Sequence, residues 1–260
     1  MKILILGDIY GKAGMDAVAT YLPFMKKQTN LDLVIANAEN ASIGGKSLIK
    51  KDYEYLKAAG IDYFTMGNHT YANEGILSII DETGDIVRPA NLKEELPGVG
   101  HRVFEHNGKK ILLMNLLGEV FIRKPKQTNI FNKADEILDS EEYDLAIIDI
   151  HAEATSEKLV FANYISNKAG IVFGTHTHIQ TSDERILNGT TAYITDVGMC
   201  GVFDSAIGVQ FKEVEDRMRK ISTEESFKEA KGPVRINGIL VTLYDNSLKP
   251  YTIERIVVNP

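Results

Sequence analysis

The sequence has almost no cysteine and no tryptophan, with Cys200 as the one cysteine among 260 residues. A single cysteine cannot close an intramolecular disulfide, so no oxidising compartment is implied. Long apolar runs are also missing. The apolar stretch Met1–Leu6 is ended by Asp8 and is shorter than the roughly 7–15 apolar residues of a signal peptide. No segment approaches the roughly 18 apolar residues of a membrane span. These shortages predict a cytoplasmic protein that does not enter the membrane.

Positive charge is scarce as well. Lys and Arg number 29 against 36 Asp and Glu, which gives a formal net charge of -7. Because binding to nucleic-acid backbones depends on clustered Lys and Arg, we expect no stable complex with nucleic acid. A small phosphate ester remains compatible, because bound metal ions can dominate the local field. The length and the ordinary globular composition predict one domain over residues 1–260.

Short apolar runs alternate with amphipathic stretches along most of the chain. The runs are bounded by Gly, Asn and Asp, which is typical of buried strands. They predict strands at Ile3–Leu6, Leu33–Ala36, Tyr63–Met66, Ile111–Asn115, Leu145–Ile150 and Ile171–Gly174. The amphipathic stretches predict helices at Ala13–Lys27, Leu48–Ala59, Asn73–Ile80 and Glu157–Lys168. This alternation indicates an α/β protein with a largely parallel central sheet.

Two predicted hairpins interrupt the alternation. Asn107-Gly108 lies between two strand-like runs, as a two-residue turn should. Asp245-Asn246 separates Arg235–Leu243 from Tyr251–Val258. The added strands predict a second sheet packed on the first, so we expect an α/β/β/α sandwich with mixed central sheets. The charged stretch Phe211–Lys231 is expected to form a solvated helix with a loop.

Polar side chains follow five of the predicted strands, directly after each strand ends. They are Asp8, Glu39 with Asn40, Asn68 with His69, His151, and His176 with His178. In open α/β sheets, the carboxyl edge of the strands is where ligands bind. Four of the six histidines of the chain belong to this set. The arrangement therefore predicts one functional site at that edge.

The residue types of this set suit divalent metals. Carboxylate, imidazole and amide oxygen are common ligands of first-row metal ions. Asp8 and Glu39 would repel each other in the absence of a cation, which would raise the pKa of one of them. His176 and His178 are two residues apart, so an extended backbone would turn both rings to the same side. We therefore predict a metal site with these residues as ligands.

The same residues resemble the calcineurin-like metallophosphoesterase superfamily. Its signature runs Asp-x-His, Gly-Asp, Gly-Asn-His, a lone His and Gly-His-x-His. The corresponding pieces here are Gly7-Asp8-Ile9-Tyr10, Ala38-Glu39-Asn40, Gly67-Asn68-His69, His151 and Thr175-His176-Thr177-His178. Tyr10 replaces the first histidine ligand, and Glu39 replaces the second aspartate. The resemblance implies a metallophosphoesterase-type α/β/β/α sandwich.

Both departures match one branch of the superfamily, the bacterial YmdB-like family. The chain also resembles that family in His151–Lys158, in Thr175–Thr181 and in the turn Asp196–Met199. The likeness extends over nearly the whole chain. It implies a phosphodiesterase with two iron or manganese ions, 2′,3′-cyclic nucleotides as a substrate class, and a possible homo-oligomer.

The resemblance also implies a role for each residue of the set. The first metal would be held by Asp8, Glu39, Asn40 and His178, and the second by Glu39, Asn68, His151 and His176. Glu39 would then bridge the two ions, and Asn40 would compensate for the histidine missing at Tyr10. A hydroxide between the metals would attack phosphorus. His69 would protonate the departing oxygen.

Several alternatives stay open. Asp196 and Glu153 either orient the ligand histidines or cap a helix or loop. Arg123, Lys124 and Lys126 either reach a substrate phosphate or form a solvated charge run. The chain could also be a metal-dependent nuclease or phosphomonoesterase, or a regulatory module whose metals only stabilise the fold. A dinucleotide-binding fold is disfavoured, because it needs a glycine at Ile9.

Overall fold

The computed structural model describes residues 1–122, 128–221 and 227–259. Its strands are β1 Lys2–Leu6, β2 Asp8–Ile9, β3 Leu33–Asn37, β4 Tyr63–Thr65, β5 Ile86–Val87, β6 His101–His106, β7 Lys109–Leu117, β8 Leu145–His151, β9 Ile171–Thr175, β10 Arg185–Leu187, β11 Thr191–Ile194, β12 Met199–Val202, β13 Val234–Leu243 and β14 Pro250–Val258. Its helices are α1 Gly11–Thr29, α2 Lys50–Ala59, α3 Ile130–Ser140, α4 Thr155–Ile165 and α5 Phe211–Met218, with a 3₁₀ helix at Glu74–Ser78. All six strands predicted from the apolar runs are present.

The strands form two mixed sheets. In the described ranges, the first sheet has the order β2-β12-β13-β1-β3-β4-β5, with β14 alongside β13. The second has the order β10-β11-β9-β8-β7-β6. Strands β1, β3, β4 and β5 run parallel, as do β7, β8, β9 and β11, whereas both predicted hairpins pair antiparallel. The predicted mixed sheets are therefore confirmed.

Alternate residues of each buried strand pack on opposite faces, which produces four layers. In β1, Leu4 and Leu6 belong to the core beneath α1 and α2, whereas Ile3 and Ile5 face the second sheet. The second sheet repeats this arrangement. Its outer face packs against α3 and α4 through side chains such as Phe161. The order of layers is helix, sheet, sheet, helix, so the α/β/β/α prediction is confirmed.

This packing brings the carboxyl ends of parallel strands from both sheets to one edge. In the first sheet, Asn37 of β3 pairs in register with Thr65 of β4. In the second, His151 of β8 pairs with Thr175 of β9. All four residues are fully buried. The polar side chains that follow these strands therefore meet at the place where the two sheets approach each other.

Some elements differ from the prediction. Helix α3, Ile130–Ser140, was not expected, and the segment expected as a helix at Asn73–Ile80 is a short 3₁₀ helix. The charged stretch Phe211–Lys231 contains α5, and part of it lies outside the described residues. Arg123, Lys124 and Lys126 also lie outside the described residues. No helix among the described residues has the length and apolar character needed to cross a membrane.

Candidate metal centre

Four of the predicted ligands form one tight group at the meeting edge of the sheets. Nε2 of His151 lies 3.0 Å from Oε1 of Glu39 and 3.0 Å from Oδ1 of Asn68. Nδ1 of His176 lies 3.1 Å from the same Nε2. Glu39, His151 and His176 can each offer one ligand atom such that all three atoms lie within 4.8 Å of one another. A single metal ion fits among them.

Three further predicted ligands form a second group next to the first. Nε2 of His178 lies 3.6 Å from Oδ1 of Asp8 and 3.3 Å from Oδ1 of Asn40. Asn40 donates its amide N–H to the Gly45 carbonyl at 2.9 Å, which turns its oxygen toward the histidine. Asp8 is fully buried, yet its Oδ1 has no hydrogen-bond partner within the described structure. A buried carboxylate oxygen without a partner is costly, and a cation would remove that cost.

The two histidines after β9 reach these groups by a route the sequence did not predict. His176 has φ 94° and His178 has φ 65°, so neither residue is extended. The expectation of two rings on one side of an extended strand was therefore wrong. A positive φ is unfavourable for residues other than glycine, and such strain is found most often at functional sites. The turn sends one ring to each group of ligands.

The close approach of the ligands also depends on Gly67. A Cβ at this position would lie 2.4 Å from Nε2 of His151 and 2.5 Å from Oε2 of Glu39. The next residues of the same turn supply Asn68, and the backbone N–H of His69 donates to Oε2 of Glu39 at 2.6 Å. Only a glycine leaves room for the two ligand side chains here.

A buried carboxylate, Asp149, holds the far side of His151. Oγ1 of Thr175 donates to Oδ1 of Asp149 at 2.7 Å and lies 2.8 Å from Nδ1 of His151. A hydroxyl has one hydrogen, so Thr175 accepts from the Nδ1–H of His151. Oδ2 of Asp149 accepts from Thr65 at 2.5 Å and from Asn37 at 3.1 Å. The Nε2 of His151 is thereby the nitrogen whose lone pair faces the ligand group.

The other two histidines are held in the same way. Nε2 of His176 lies 3.2 Å from Oε2 of Glu153, which leaves Nδ1 for the first group. Nδ1 of His178 lies 2.9 Å from the carbonyl oxygen of Ile207, which leaves Nε2 for the second. A metal-binding histidine characteristically donates its remaining N–H to a carboxylate or a carbonyl. His176 and His178 lie beside such oxygens directly, whereas His151 reaches the Asp149 carboxylate through the Thr175 hydroxyl.

Within the described residues, the side chain of Asp196 is hydrogen-bonded to groups other than a histidine ring. Its Oδ2 accepts hydrogen bonds from the N–H and the Oγ1 of Thr177, at 3.1 and 2.8 Å, and Thr177 lies between the two histidines of the turn. Lys158 donates to the same oxygen at 2.7 Å, and both partners are buried. Asp196 thus fixes the backbone that carries His176 and His178, whereas Glu153 contacts a histidine directly.

The charges of Glu39 and His151 stabilise each other when no metal is bound. Burial raises the pKa of Glu39, but the charges of His151 and His69, together with the hydrogen bonds from both residues, outweigh it, and the pKa falls to about 2. Burial lowers the pKa of His151, but the charges of Glu39, Asp8 and Asp149 raise it to about 9. Burial and the His151 charge lower the pKa of His176 to about 3. In the metal-free protein, a proton on Nε2 of His151 therefore occupies the place where a cation would bind.

A cavity of about 790 Å³ opens beside these groups. Glu39, Asn40, His69, His176 and His178 line one part of it. His69 therefore lies next to the ligands while its backbone is fixed by Glu39. The residues predicted as ligands and the predicted proton donor all meet at this one place.

Comparison with known proteins assigns the family. A model of the YmdB-like protein family matches residues 4–256. The chain belongs to this family. The 2′,3′-cyclic-nucleotide 2′-phosphodiesterase of Bacillus subtilis (strain 168) is 41% identical over 261 residues, which cover 100% of this chain and 97% of that protein. The crystal structure of a phosphatase from Mycoplasma pneumoniae is 40% identical with a TM-score of 0.93, covering 100% of this chain and 93% of the other.

The fold extends beyond the YmdB-like family. A calcineurin-like phosphoesterase of Bacillus subtilis is 13% identical with a TM-score of 0.60, covering 100% of this chain and 90% of the other, and this likeness is one of fold. The family match and the two relatives of 40% and 41% identity identify the chain as a hydrolase, and its cluster of Glu39, His151 and His176 could hold a divalent metal ion. The residues present fit such ions, because the unpartnered Asp8 oxygen and the oriented histidines offer both oxygen and nitrogen ligands.

Proposed function

We propose that this chain is a metal-dependent phosphodiesterase that hydrolyses 2′,3′-cyclic nucleotides. The observation that carries the proposal is the orientation of the three histidines, each with one nitrogen turned toward the ligand groups and the other within 3.2 Å of a hydroxyl, carboxylate or carbonyl oxygen. That centre lines a cavity large enough for a nucleotide. The name of the Bacillus relative, which is 41% identical, supplies the substrate class.

We assign two metal ions to the centre. Their ligands are Asp8, Glu39, Asn40 and His178 for the first, and Glu39, Asn68, His151 and His176 for the second. The 3.0 Å approach of Glu39 to His151 supports the second set, and the unpartnered oxygen of Asp8 supports the first. Burial raises the pKa of Asp8, and the charges of Asp196 and Glu39 add to that rise. Iron or manganese ions suit this mixture of carboxylate, imidazole and amide ligands.

The reaction divides between the metals and the side chains around them. When bound, the two cations would polarise the phosphoryl oxygens and lower the pKa of a water molecule. Glu153 and the Ile207 carbonyl keep His176 and His178 in the tautomers that face the centre. His69 lines the cavity at the same edge, and we assign it proton donation to the departing ribose oxygen.

The test is hydrolysis of 2′,3′-cyclic AMP by purified protein that has been stripped of metal with a chelator and then reconstituted with Mn²⁺. We expect turnover to be lost on chelation and restored by the metal, with a nucleoside monophosphate as the product. A reconstituted protein that binds metal and hydrolyses only monoesters would favour a phosphomonoesterase. Metal binding without turnover of any phosphoester would favour a regulatory module.

The role of His69 is tested separately with two leaving groups. His69→Ala should lower turnover of the cyclic nucleotide by about 100-fold or more, since general acid catalysis contributes 10²–10⁴-fold. It should affect a p-nitrophenyl phosphodiester far less, because p-nitrophenolate departs without a proton. His101→Ala is the matched control, as His101 lies on β6 beside Glu141. Equal losses on both substrates would contradict the assignment.

A further inference from the structure

The cavity beside the candidate metal centre has a second, apolar part. Its six large apolar side chains are Ile43, Ile207, Val209, Val214, Met218 and Phe227. We call these six residues the apolar wall. They come from the loop after β3, the segment before α5, α5 itself and the residues that follow it. Chain segments far apart in sequence thus converge to place apolar groups next to a site that is otherwise polar.

Much of the apolar wall is exposed to solvent. Ile43 is 69% exposed, Ile207 is 48% exposed and Met218 is 79% exposed. A cluster of exposed apolar side chains at the rim of a cavity commonly marks a place where a ligand binds. Helix α5 buries none of its own residues, so the apolar side chains it presents here are not explained by core packing.

Tyr10 joins the apolar wall to the metal ligands. Its ring lies edge-on to His178, with 5.7 Å between ring centroids. The ring is also closely packed by backbone, because a Cβ on Gly45 or Gly208 would lie 2.5 or 2.6 Å from it. The wall therefore begins with a fixed aromatic ring next to the second ligand group.

We propose that the apolar wall and Tyr10 form a subsite for the nucleobase of the substrate. The inference rests on the proposed function, because it takes the metal ligands as the site of the phosphate. A base is planar with apolar faces, and it is attached to the cyclic phosphate through a ribose. It therefore needs an apolar surface continuous with the phosphate site, and the two parts of this cavity supply that continuity. Aromatic side chains stack on the faces of all nucleobases, whichever base is present.

The test compares a nucleotide with a substrate that has no base. Val214→Asn and Met218→Asn place an amide in the apolar wall at two positions of α5, and neither residue is a proposed ligand or hydrogen-bonded to one. Both variants should lower kcat/KM for 2′,3′-cyclic AMP about fivefold or more, in line with the contribution of base contacts. Both should leave kcat/KM for glycerol 1,2-cyclic phosphate within about twofold of the wild type. Adenosine should inhibit the wild type competitively and the variants more weakly.

Phe211→Asn is the matched control, since Phe211 is 57% exposed on the same helix but does not line the cavity. Phe211→Asn should leave kcat/KM unchanged for both substrates. Equal losses on both substrates, or no loss on the nucleotide, would overturn the subsite. A reconstituted wild type that hydrolyses the base-free diester as efficiently as the nucleotide would also overturn it, while leaving the phosphodiesterase intact. Failure to hydrolyse either diester would instead contradict the proposed function.

Discussion

Thr175→Val removes the one hydroxyl that joins Asp149 to His151 and keeps nearly the same side-chain shape. Two buried polar groups then lose a partner: the Oδ1 of Asp149, at 2.7 Å, and the Nδ1 of His151, at 2.8 Å. An unsatisfied buried group costs about 1–3 kcal/mol. We therefore expect the free energy of unfolding of the metal-free protein to fall by about 2–6 kcal/mol.

The same substitution should weaken metal binding. Without the acceptor at Nδ1, the ring of His151 can rotate or take the other tautomer, which places a proton on Nε2. Loss of such an outer partner typically lowers metal affinity by about 10–100-fold. That corresponds to about 1.4–2.7 kcal/mol of binding free energy. The assays are denaturant unfolding of the metal-free protein and Mn²⁺ titration by calorimetry.

Thr65→Val is the matched control. Thr65 is as buried as Thr175 and also donates to Asp149, through Oδ2 at 2.5 Å, but it has no hydrogen bond to His151. It should lower stability by about 1–3 kcal/mol and leave Mn²⁺ affinity nearly unchanged. If both variants lose metal affinity equally, or if Thr175→Val keeps the wild-type affinity, the reasoning about His151 is refuted.

Three further predictions follow from the same geometry. Because the pKa of His151 is about 9 in the metal-free fold, metal binding at pH 7.5 should release at least one proton, and metal affinity should rise with pH and level off above about 9. Calorimetry in buffers of different ionisation enthalpy measures the proton release, and a metal affinity independent of pH would contradict the prediction. Gly67→Ala should abolish metal binding, because its Cβ would overlap His151 and Glu39; metal analysis of the purified variant checks it, and full metal content would refute the close approach. Burial raises the pKa of Cys200 to about 12, so iodoacetamide should label it only after unfolding; labelling of the folded protein, seen by mass spectrometry, would contradict that burial.

Much of the fold follows from local sequence patterns. The apolar runs that become β1, β3 and β8 are bounded by Gly, Asn or Asp, so the positions of these strands can be predicted without tertiary information. The polar residues that follow these strands can be recognised as candidate ligands for the same reason. Parallel strands bring their carboxyl ends to one edge, which is why residues as distant as Asp8 and His178 could be expected together.

Other features depend on packing that local patterns do not encode. Asp149 carries a local signal, an acid inside an apolar run, but its hydrogen bond to Thr175 arises only when β8 and β9 pair. The positive φ of His176 reflects contacts with the rest of the site, not its own preference. The apolar side chain of Val214 in a charged helix becomes meaningful only when α5 lies beside the cavity.

We propose that Glu39 holds both metal ions and that the loaded site hydrolyses a phosphodiester. The most direct test measures metal content and 2′,3′-cyclic AMP turnover together, for the wild type and for Glu39→Gln after reconstitution with Mn²⁺. Glu142→Gln serves as the control and should keep both, because Glu142 is exposed and pairs with Lys110. We expect two metals and turnover in the wild type, and loss of both in Glu39→Gln. Full metal content with undiminished turnover in Glu39→Gln would contradict it.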